Sequence, residues 1–302
     1  MLLRRIPLIL LILSSLSLMS WVSAAVAQDD LNVYMMESTV KLQGKNSLGT
    51  GFMIMRAYQV QDGPKGSVIG KVVLVTAAHV LEEIPEDEVM VVMHSLNPSS
   101  GNWSRHESKL QIRRNGQQLW KKHPDADVAV MYVVPDIMPF RKAPTLDLLA
   151  TDDRLREENM TPGDNLKCLG FPLGRESNPA GFAILRTGDI ASYPLLPTAQ
   201  TKTFLMDFRV FKGNSGGPVY FSQPKWRGGV SVGRPQFIMG LVSQEAVLPV
   251  ISADPYGSSV RELQLMLGVV VHASIVRQTI EMLPMPESPE STSMAIVMHP
   301  AQ

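Results

Sequence analysis

A small-residue turn carries the side chain best suited to nucleophilic chemistry. Residues 213–218 read GNSGGP, so the hydroxyl of Ser215 stands among glycines just ahead of an apolar segment. A serine hydroxyl becomes a good nucleophile only when a base removes its proton as it attacks a carbonyl. Because the glycines let backbone N–H groups converge on one point, we expect the amides of Gly213 and Ser215 to form an oxyanion hole for a tetrahedral intermediate.

The segment at residues 73–81 supplies a base for this serine. It reads VLVTAAHVL, so an apolar strand ends in small residues and then presents His79. Histidine titrates close to neutral pH and can therefore accept a proton and return it. A histidine at a strand end is more often structural, and it is the combination with the glycine-rich turn that indicates general-base chemistry.

An acidic residue opens the apolar strand DADVAV at residues 125–130. A carboxylate in that position can accept a hydrogen bond from the imidazole and stabilise its charged form. Asp125 and Asp127 would point to the same side of an extended strand, so both are candidates. We favour Asp127 because the valines of the strand follow it directly.

In type, order and spacing these three residues resemble the catalytic set of the trypsin-like (chymotrypsin-fold) serine peptidases. The order is His79, Asp127, Ser215, with intervals of 48 and 88 residues. Within that family the chain looks closest to the bacterial HtrA/Deg-like protease domain. The resemblance implies a serine endopeptidase that needs no cofactor and is built from two six-stranded antiparallel β-barrels, with the active cleft between them.

The resemblance also implies substrate-binding positions. The sequence GLVS at the end of a late apolar segment is similar to the family strand that binds the substrate backbone, and it comprises Leu241, Val242 and Ser243 after its glycine. The same likeness puts the Ser243 hydroxyl in reach of the buried aspartate. Arg209 stands where the family often places the floor of its main pocket. An arginine at that floor would select acidic side chains, whereas a displaced one would carry no preference.

The chain departs from the family pattern in four respects. No cysteine flanks His79, and no internal activation sequence of the kind Arg-Ile-Val-Gly-Gly occurs. Asn214 replaces the aspartate that would bind a freed N-terminus, which agrees with an enzyme that is competent without zymogen cleavage. Residues 284–302 are all that follows the last predicted helix, so we expect no PDZ domain of the kind that HtrA relatives carry.

Short strands must position these groups. Segments rich in valine, isoleucine, methionine and phenylalanine alternate with turn residues, about six segments in each half of the chain. We predict strands near 33–42, 47–59, 67–76, 88–95, 109–119, 127–134, 166–171, 182–193, 203–210, 217–221, 235–243 and 263–273. Apolar residues at helical spacing predict a terminal helix at 274–283.

The same pattern predicts the organisation of the chain. In order, we expect a signal peptide, an N-terminal barrel with His79 and Asp127, an inter-barrel linker, a C-terminal barrel and helix with Ser215, and a disordered tail. The predicted bounds are 1–27, 28–146, 147–163, 164–283 and 284–302.

The N-terminus is typical of a cleavable export signal. Two arginines precede an apolar run that is interrupted by serines and ends in small residues. The run is shorter than the roughly 20 apolar residues that a spanning helix needs. We expect cleavage after Ala27, with Ala24 as a second candidate and retention as an anchor as the alternative. The cleaved protein would be periplasmic or secreted by a bacterium, without stable membrane insertion.

Composition excludes several kinds of partner and cofactor. The 28 basic and 28 acidic residues balance and form no basic block, so we expect no nucleic-acid partner. Cys168 is the only cysteine, so no internal disulfide can form, and its apolar neighbours predict a buried, inert thiol. We expect no metal site, because four histidines lack acidic or cysteine partners at ligand spacing, namely His94, His106, His123 and His272.

The primary prediction is therefore hydrolysis of peptide bonds in proteins or peptides by Ser215, His79 and Asp127. Two alternatives use the same fold. A distorted oxyanion turn would leave a binding or scaffold protein with little activity, and a different acyl substrate would make the protein an esterase. The sequence is compatible with an oligomer and leaves its size open.

Overall fold

β-Strands make up most of the regular structure, and a short helix follows the last of them. The structure is a computed structural model that describes residues 30–59, 68–133, 143–222, 226–227, 230–231, 235–254 and 257–285. The expected all-β class with a C-terminal helix is confirmed. The predicted signal peptide and residues 286–302 of the predicted tail lie outside the described residues.

The first half of the chain forms one antiparallel sheet. Seven strands pair in the order β5-β4-β1-β2-β3-β9-β8, and β6 pairs separately with β7. The elements are α1 (Leu31–Ser38), β1 (Thr39–Gln43), β2 (Leu48–Gln59), β3 (Val68–Thr76), α2 (Ala78–Glu82), β4 (Glu88–Leu96), β5 (Trp103–Gln111), β6 (Arg113–Arg114), β7 (Gln117–Gln118), β8 (Lys121–Lys122) and β9 (Ala129–Tyr132).

This sheet differs from the expected closed barrel of six strands. It has seven strands, and its edge strands β5 and β8 do not pair with each other in the described part of the chain. The physical reason lies in β8, which is two residues long and exposed. So short an edge offers few backbone groups with which to close the sheet.

The first predicted strand, at 33–42, is half wrong. Residues Leu31–Ser38 form the helix α1, and the strand begins only at Thr39. The buried positions Leu31, Met35 and Ser38 recur at intervals of four and three residues, which is the helical period. The predicted strand at 109–119 also differs, because β5 begins earlier, at Trp103, and ends at Gln111, and the rest of that range holds only the two-residue strands β6 and β7.

The second half of the chain forms a closed barrel, as expected. Its six strands pair in the order β10-β11-β12-β17-β16-β13. The elements are α3 (Asp152–Glu157), β10 (Asn165–Gly170), β11 (Ile184–Ile190), β12 (Thr203–Asp207), β13 (Pro218–Ser222), β14 (Trp226–Arg227), β15 (Val230–Ser231), β16 (Gln236–Asp254), β17 (Gly257–His272) and α4 (Ala273–Glu281).

Alternation of buried and exposed residues explains how the barrel strands face the core. In β12 the side chains of Phe204 and Met206 are buried while the strand's ends are exposed. Successive side chains on a strand point to opposite faces, so this period of two fills the barrel interior from one face. The fully buried Tyr220 and Phe237 come from the neighbouring strands β13 and β16.

The terminal helix α4 connects the barrel to the first sheet. The Arg56 guanidinium on β2 donates hydrogen bonds to the carbonyls of Ile280 (3.1 Å) and Leu283 (3.0 Å) at the helix end. A cation at a helix C-terminus interacts favourably with the exposed carbonyls. Among the described helices, none combines the length and apolar character required to cross a membrane.

Candidate active site

The imidazole of His79 is held by the carboxylate of Asp127 at two points. His79 lies in the short helix α2, directly after β3, and Asp127 lies in the turn that leads into β9. Asp127 Oδ2 is 2.7 Å from His79 Nδ1, and Asp127 Oδ1 accepts the His79 backbone N–H at 3.0 Å. Because Nδ1 donates to the carboxylate in the neutral tautomer, Nε2 is left as the proton acceptor.

A third hydrogen bond completes the surroundings of this carboxylate. The Ser243 hydroxyl on β16 donates to Asp127 Oδ2 at 2.6 Å, so the predicted contact between these residues is present. Burial alone would raise the pKa of Asp127, but the hydrogen bonds and charge of His79 and the bond from Ser243 lower that pKa to about 2. Asp127 is therefore an anion throughout the neutral range.

The same carboxylate changes the proton affinity of the histidine. Burial by itself lowers the pKa of His79, but the hydrogen bond and charge of Asp127, together with the charges of Glu83 and Glu82, raise it above 6.5. The competing candidate Asp125 is exposed and lies 3.6 Å from Lys202 Nζ. The structure thus brings Asp127, rather than Asp125, to the histidine.

The turn that carries Ser215 is held from both halves of the molecule. Thr50 on β2 donates its backbone N–H to the Ser215 carbonyl at 2.8 Å and its hydroxyl to the Gly213 carbonyl at 2.6 Å. From the barrel side, the Gly216 N–H donates to the Val242 carbonyl at 2.7 Å. Both sheets of the fold therefore fix the position of this turn.

Gly216 places the turn against the segment that leads into α2. A β-carbon at this position would lie 2.0 Å from the Thr50 carbonyl oxygen, 2.3 Å from Thr76 Oγ1 and 2.9 Å from the backbone nitrogen of Ala77. Its φ of 84° also favours glycine. Gly216, the residue after Ser215, therefore packs against Ala77, two positions before His79.

The Ser215 hydroxyl makes no hydrogen bond to another described residue. His79 is thus hydrogen-bonded to Asp127 but not to Ser215. Bonds of this kind are often long without substrate and tighten when substrate binds. Ser215 is half-buried, which leaves part of it open to an incoming group.

Two backbone amides of the turn are available to bind an anion. Asn214 N–H donates to the Phe211 carbonyl and Gly217 N–H to the Asn214 carbonyl, both at 2.9 Å, whereas Gly213 and Ser215 N–H have no acceptor in the described part of the chain. The carbonyl of Lys212 accepts the Leu173 N–H at 2.7 Å. Because a trans peptide directs its N–H away from its carbonyl, Gly213 N–H faces the opposite side.

The structure corrects the predicted substrate strand. Leu241 and Val242 are buried, and Leu241 pairs with β13 on one edge and β17 on the other. The N–H and carbonyl of Val242 are both bonded within the turn region, to Gly217 and Gly216. Their backbones are therefore occupied on both sides, because β13 reaches this far along β16.

The free edge of β16 begins at Ser243. Beyond Val242 the strand continues through Gln244 and Glu245, which pair with β17 at Val269 and Gly268. On the other edge these residues have no strand partner among the described residues, since β13 starts at Pro218. Their position directly after the serine that binds the aspartate was the sequence signal for this edge.

The comparison with known families agrees with this geometry. A sequence model of the trypsin-like peptidase domain matches residues 49–228, which is more than half of the chain. The chain belongs to the trypsin-like peptidase family. The matched range contains His79, Asp127 and Ser215. In a comparison with curated proteins, no match was found.

In this member of the family, the side chain of Arg209 is exposed. Its Nη2 lies 3.3 Å from Gln264 Oε1, and its guanidinium lies 4.9 Å from the centre of the Phe211 ring. A second guanidinium, that of Arg186, lies 5.4 Å from the same ring and donates to the Arg209 carbonyl. Arg209 therefore belongs to a surface cluster at the start of the serine turn.

The described residues of the chain contain no group of three or more histidine, cysteine or acidic side chains arranged to hold a metal. His94 is buried, and its Nε2 is 3.1 Å from the Glu37 carbonyl. Cys168 is fully buried, and burial raises the pKa of its thiol to about 12 despite the nearby charge of Arg186. A thiol with that pKa stays protonated and unreactive at neutral pH.

Proposed function

We propose that this trypsin-like peptidase is a serine endopeptidase that hydrolyses peptide bonds of exported or envelope proteins. The observation that carries the proposal is the pair of hydrogen bonds between Asp127 and His79. The turn of Ser215 adds the two backbone amides, of Gly213 and Ser215, that have no acceptor among the described residues. That combination would supply a base, an orienting anion and an anion-binding site for one reaction.

The proposed reaction is acyl transfer in two stages. Ser215 Oγ attacks the peptide carbonyl and gives its proton to His79 Nε2, while the carbonyl oxygen becomes an anion bound by Gly213 and Ser215 N–H. The intermediate then breaks its C–N bond, and His79 returns the proton to the leaving amine. In the second stage water takes the place of the amine, and the same steps release the acid and restore Ser215.

The surroundings of the pair suit these proton transfers. The raised pKa of His79 increases its affinity for the serine proton, and the lowered pKa of Asp127 keeps the carboxylate charged beside the imidazolium. An extended substrate would add its backbone to the free edge of β16 that begins at Ser243. Backbone hydrogen bonds there would supply affinity without regard to sequence.

The proposed setting is the bacterial envelope or the exterior, in the manner of an HtrA/Deg-like protease domain. Support comes from the sequence alone, because residues 1–27 have the order of charges, apolar residues and small residues that is typical of an export signal. Comparing the masses of the intracellular and exported protein would test both the export and the cleavage after Ala27.

The test of the function is covalent labelling of the full-length protein by a fluorophosphonate probe. We expect the parent to be labelled and the Ser215→Ala and His79→Ala variants to remain unlabelled, because the first lacks the nucleophile and the second lacks the base. A folded parent without label would favour a binding or scaffold role. Faster turnover of simple esters than of any peptide would favour an esterase.

A further inference from the structure

The loop at residues 171–183, between β10 and β11, lies against the serine turn. Its Leu173 N–H donates to the Lys212 carbonyl at 2.7 Å, and a β-carbon on Gly213 would lie 2.2 Å from the Phe171 carbonyl oxygen. The first of these contacts fixes which way the Lys212–Gly213 peptide faces. The loop is therefore in direct contact with the peptide that carries the Gly213 N–H.

The backbone of this loop is strained where it makes that contact. Leu173 has a positive φ of 53°, whereas the φ of 75° at Gly174 is one that glycine adopts readily. The left-handed conformation is unfavourable for a residue with a β-carbon. The Leu173 side chain is 66 % exposed, so its own packing does not hold it there. Two backbone hydrogen bonds within the loop help to maintain the conformation, from Gly174 N–H to the Phe171 carbonyl at 2.8 Å and from Arg175 N–H to the Pro172 carbonyl at 3.0 Å. Contacts from outside the loop add to them.

An ionic cluster from the first sheet supplies the contacts from outside the loop. Lys41 on β1 donates from Nζ to the Gly174 carbonyl at 3.2 Å and to Glu176, and its ammonium lies 5.9 Å from the Phe171 ring. Arg105 on β5 donates from Nε to both carboxylate oxygens of Glu176, at 3.0 and 3.1 Å. The Lys41 side chain is only 7 % exposed and that of Glu176 16 %.

The charges in this cluster depend on one another. Burial would raise the pKa of Glu176, but hydrogen bonds and charges from Lys41 and Arg105 lower it. The Lys41 ammonium is nearly buried, and removing one partner of a buried ion pair is strongly destabilising. Removing the Glu176 charge should therefore weaken the contacts of Lys41 and Arg105 with the loop. The hydrogen bond from Lys41 to the Gly174 carbonyl should weaken with them.

We propose that Lys41 and Arg105, acting through Glu176, position the Lys212–Gly213 peptide for oxyanion binding. This inference rests on the proposed endopeptidase function. The three side chains are positioning residues that have no contact with the substrate. Their effect passes from Glu176 along the loop to Leu173, and from the Leu173 N–H to the Lys212 carbonyl.

The chain offers a matched pair of variants for the test. Glu176→Gln removes the carboxylate that joins the first sheet to the loop. Glu107→Gln removes the other carboxylate that contacts Arg105, an exposed one within β5 that does not touch the loop. We would measure the fluorophosphonate labelling rate, kcat and KM on a peptide, and the thermal midpoint of the full-length proteins.

For Glu176→Gln we expect kcat and the labelling rate to fall by about tenfold or more, because the oxyanion donor is lost from part of the population. We expect KM to change by less than about twofold, since the substrate backbone binds to β16 rather than to the loop. For Glu107→Gln we expect all three kinetic quantities to stay within about twofold of the parent.

If Glu176→Gln leaves too little folded protein, the double variant Lys41→Met with Glu176→Leu removes the buried charges together. We expect the same loss of kcat from it. A variant whose thermal midpoint falls while its kcat and labelling rate match the parent would overturn the inference and leave the endopeptidase function intact. A parent that stays unlabelled would overturn the proposed function and the inference with it.

Discussion

The carboxylate of Asp127 accepts three hydrogen bonds, from His79 Nδ1, from the His79 backbone N–H and from the Ser243 hydroxyl. No other acidic side chain within the described residues contacts the His79 ring. Asp125 and Asp127 are only two residues apart, but it is Asp127 that contacts His79. Asp125 is exposed and lies near Lys202, while the Val128 N–H bonds to the Ala126 carbonyl and the strand begins only at Ala129.

Replacing Asp127 by asparagine should nearly abolish activity. Asp127→Asn removes the anion that stabilises the imidazolium and presents an amide N–H that favours the wrong tautomer, so we expect kcat/KM to fall by about 10⁴-fold. The measurement is peptide turnover with circular dichroism as a check of folding. Asp125→Asn, which removes only an exposed charge, should stay within about twofold of the parent. Equal losses in the two variants would contradict the assignment.

The pH dependence of turnover should report the histidine. Activity requires neutral His79, so kcat/KM should rise with pH through the pKa of that residue, with a midpoint above 6.5. The double variant Glu82→Gln with Glu83→Gln removes two charges that raise the pKa of His79, so its midpoint should move to lower pH. An unchanged midpoint would show that another group controls the profile.

At the scale of elements, the serine turn is positioned by strands from both sheets. Thr50 on β2 bonds to Ser215 and Gly213, and the Val242 carbonyl on β16 accepts the Gly216 N–H. The turn lies so close to Thr50 and Thr76 that Gly216 has no room for a side chain. The turn is thus shaped by its neighbours as much as by its own sequence.

A methyl group at that glycine should disable the site. Gly216→Ala would place a β-carbon 2.0 Å from the Thr50 carbonyl oxygen, so the turn must shift away from Thr50. We expect the labelling rate to fall by about 100-fold or more. Gly163→Ala is the matched control, because its φ of 89° is equally unfavourable but nothing lies within 4 Å of the added carbon.

We expect Gly163→Ala to lose about 1 to 2 kcal/mol of stability and to keep its labelling rate. Thermal unfolding and probe labelling of both variants separate backbone strain from the steric effect. Normal labelling of the Gly216→Ala variant would mean that the turn can move without loss of the reactive serine.

At the scale of the whole molecule, two buried histidines make stability depend on pH. Burial lowers the pKa of His94 to about 4, although backbone hydrogen bonds at Glu37 and Gly181 oppose it, and burial lowers the pKa of His272 to about 4 as well. In the unfolded chain both should titrate near 6.5. The unfolded state therefore binds more protons between pH 6.5 and 4, and the free energy of unfolding falls as pH falls through that window.

We expect each of these histidines to lower the free energy of unfolding by about 2 kcal/mol between pH 7 and pH 5. His79, whose pKa is raised, acts in the opposite direction: the stability it contributes is present below 6.5 and is lost as pH rises through its folded pKa. Urea unfolding at the two pH values measures the sum.

His94→Asn should reduce the loss between pH 7 and pH 5 by about 2 kcal/mol, because the titrating group is gone. His106→Asn is the control, since His106 pairs across the same two strands and is exposed. A pH dependence that is the same in the His94 variant and the parent would contradict the assigned role of burial.

The sequence by itself determined the parts of this protein whose signals are local. These parts are short runs whose backbone conformation is set by neighbouring residues. They are the glycine-rich turn at Ser215, the small residues before His79 and the acidic residues just before β9. The predicted strands at 47–59, 67–76 and 88–95 agree closely with the strands β2, β3 and β4 for the same reason.

Only the tertiary structure decided which strand edges are free and which loops are held. The backbone of Val242 is hydrogen-bonded and that of Ser243 lies at an unpaired edge because β13 begins at Pro218, opposite Leu241. The two strands meet through contacts between distant residues. Likewise, Glu176 forms its ion pairs with Lys41, which is 135 positions away in the chain, and with Arg105, which is 71 positions away. Such pairings arise because folding brings together charges and backbone groups that have no common pattern in the sequence.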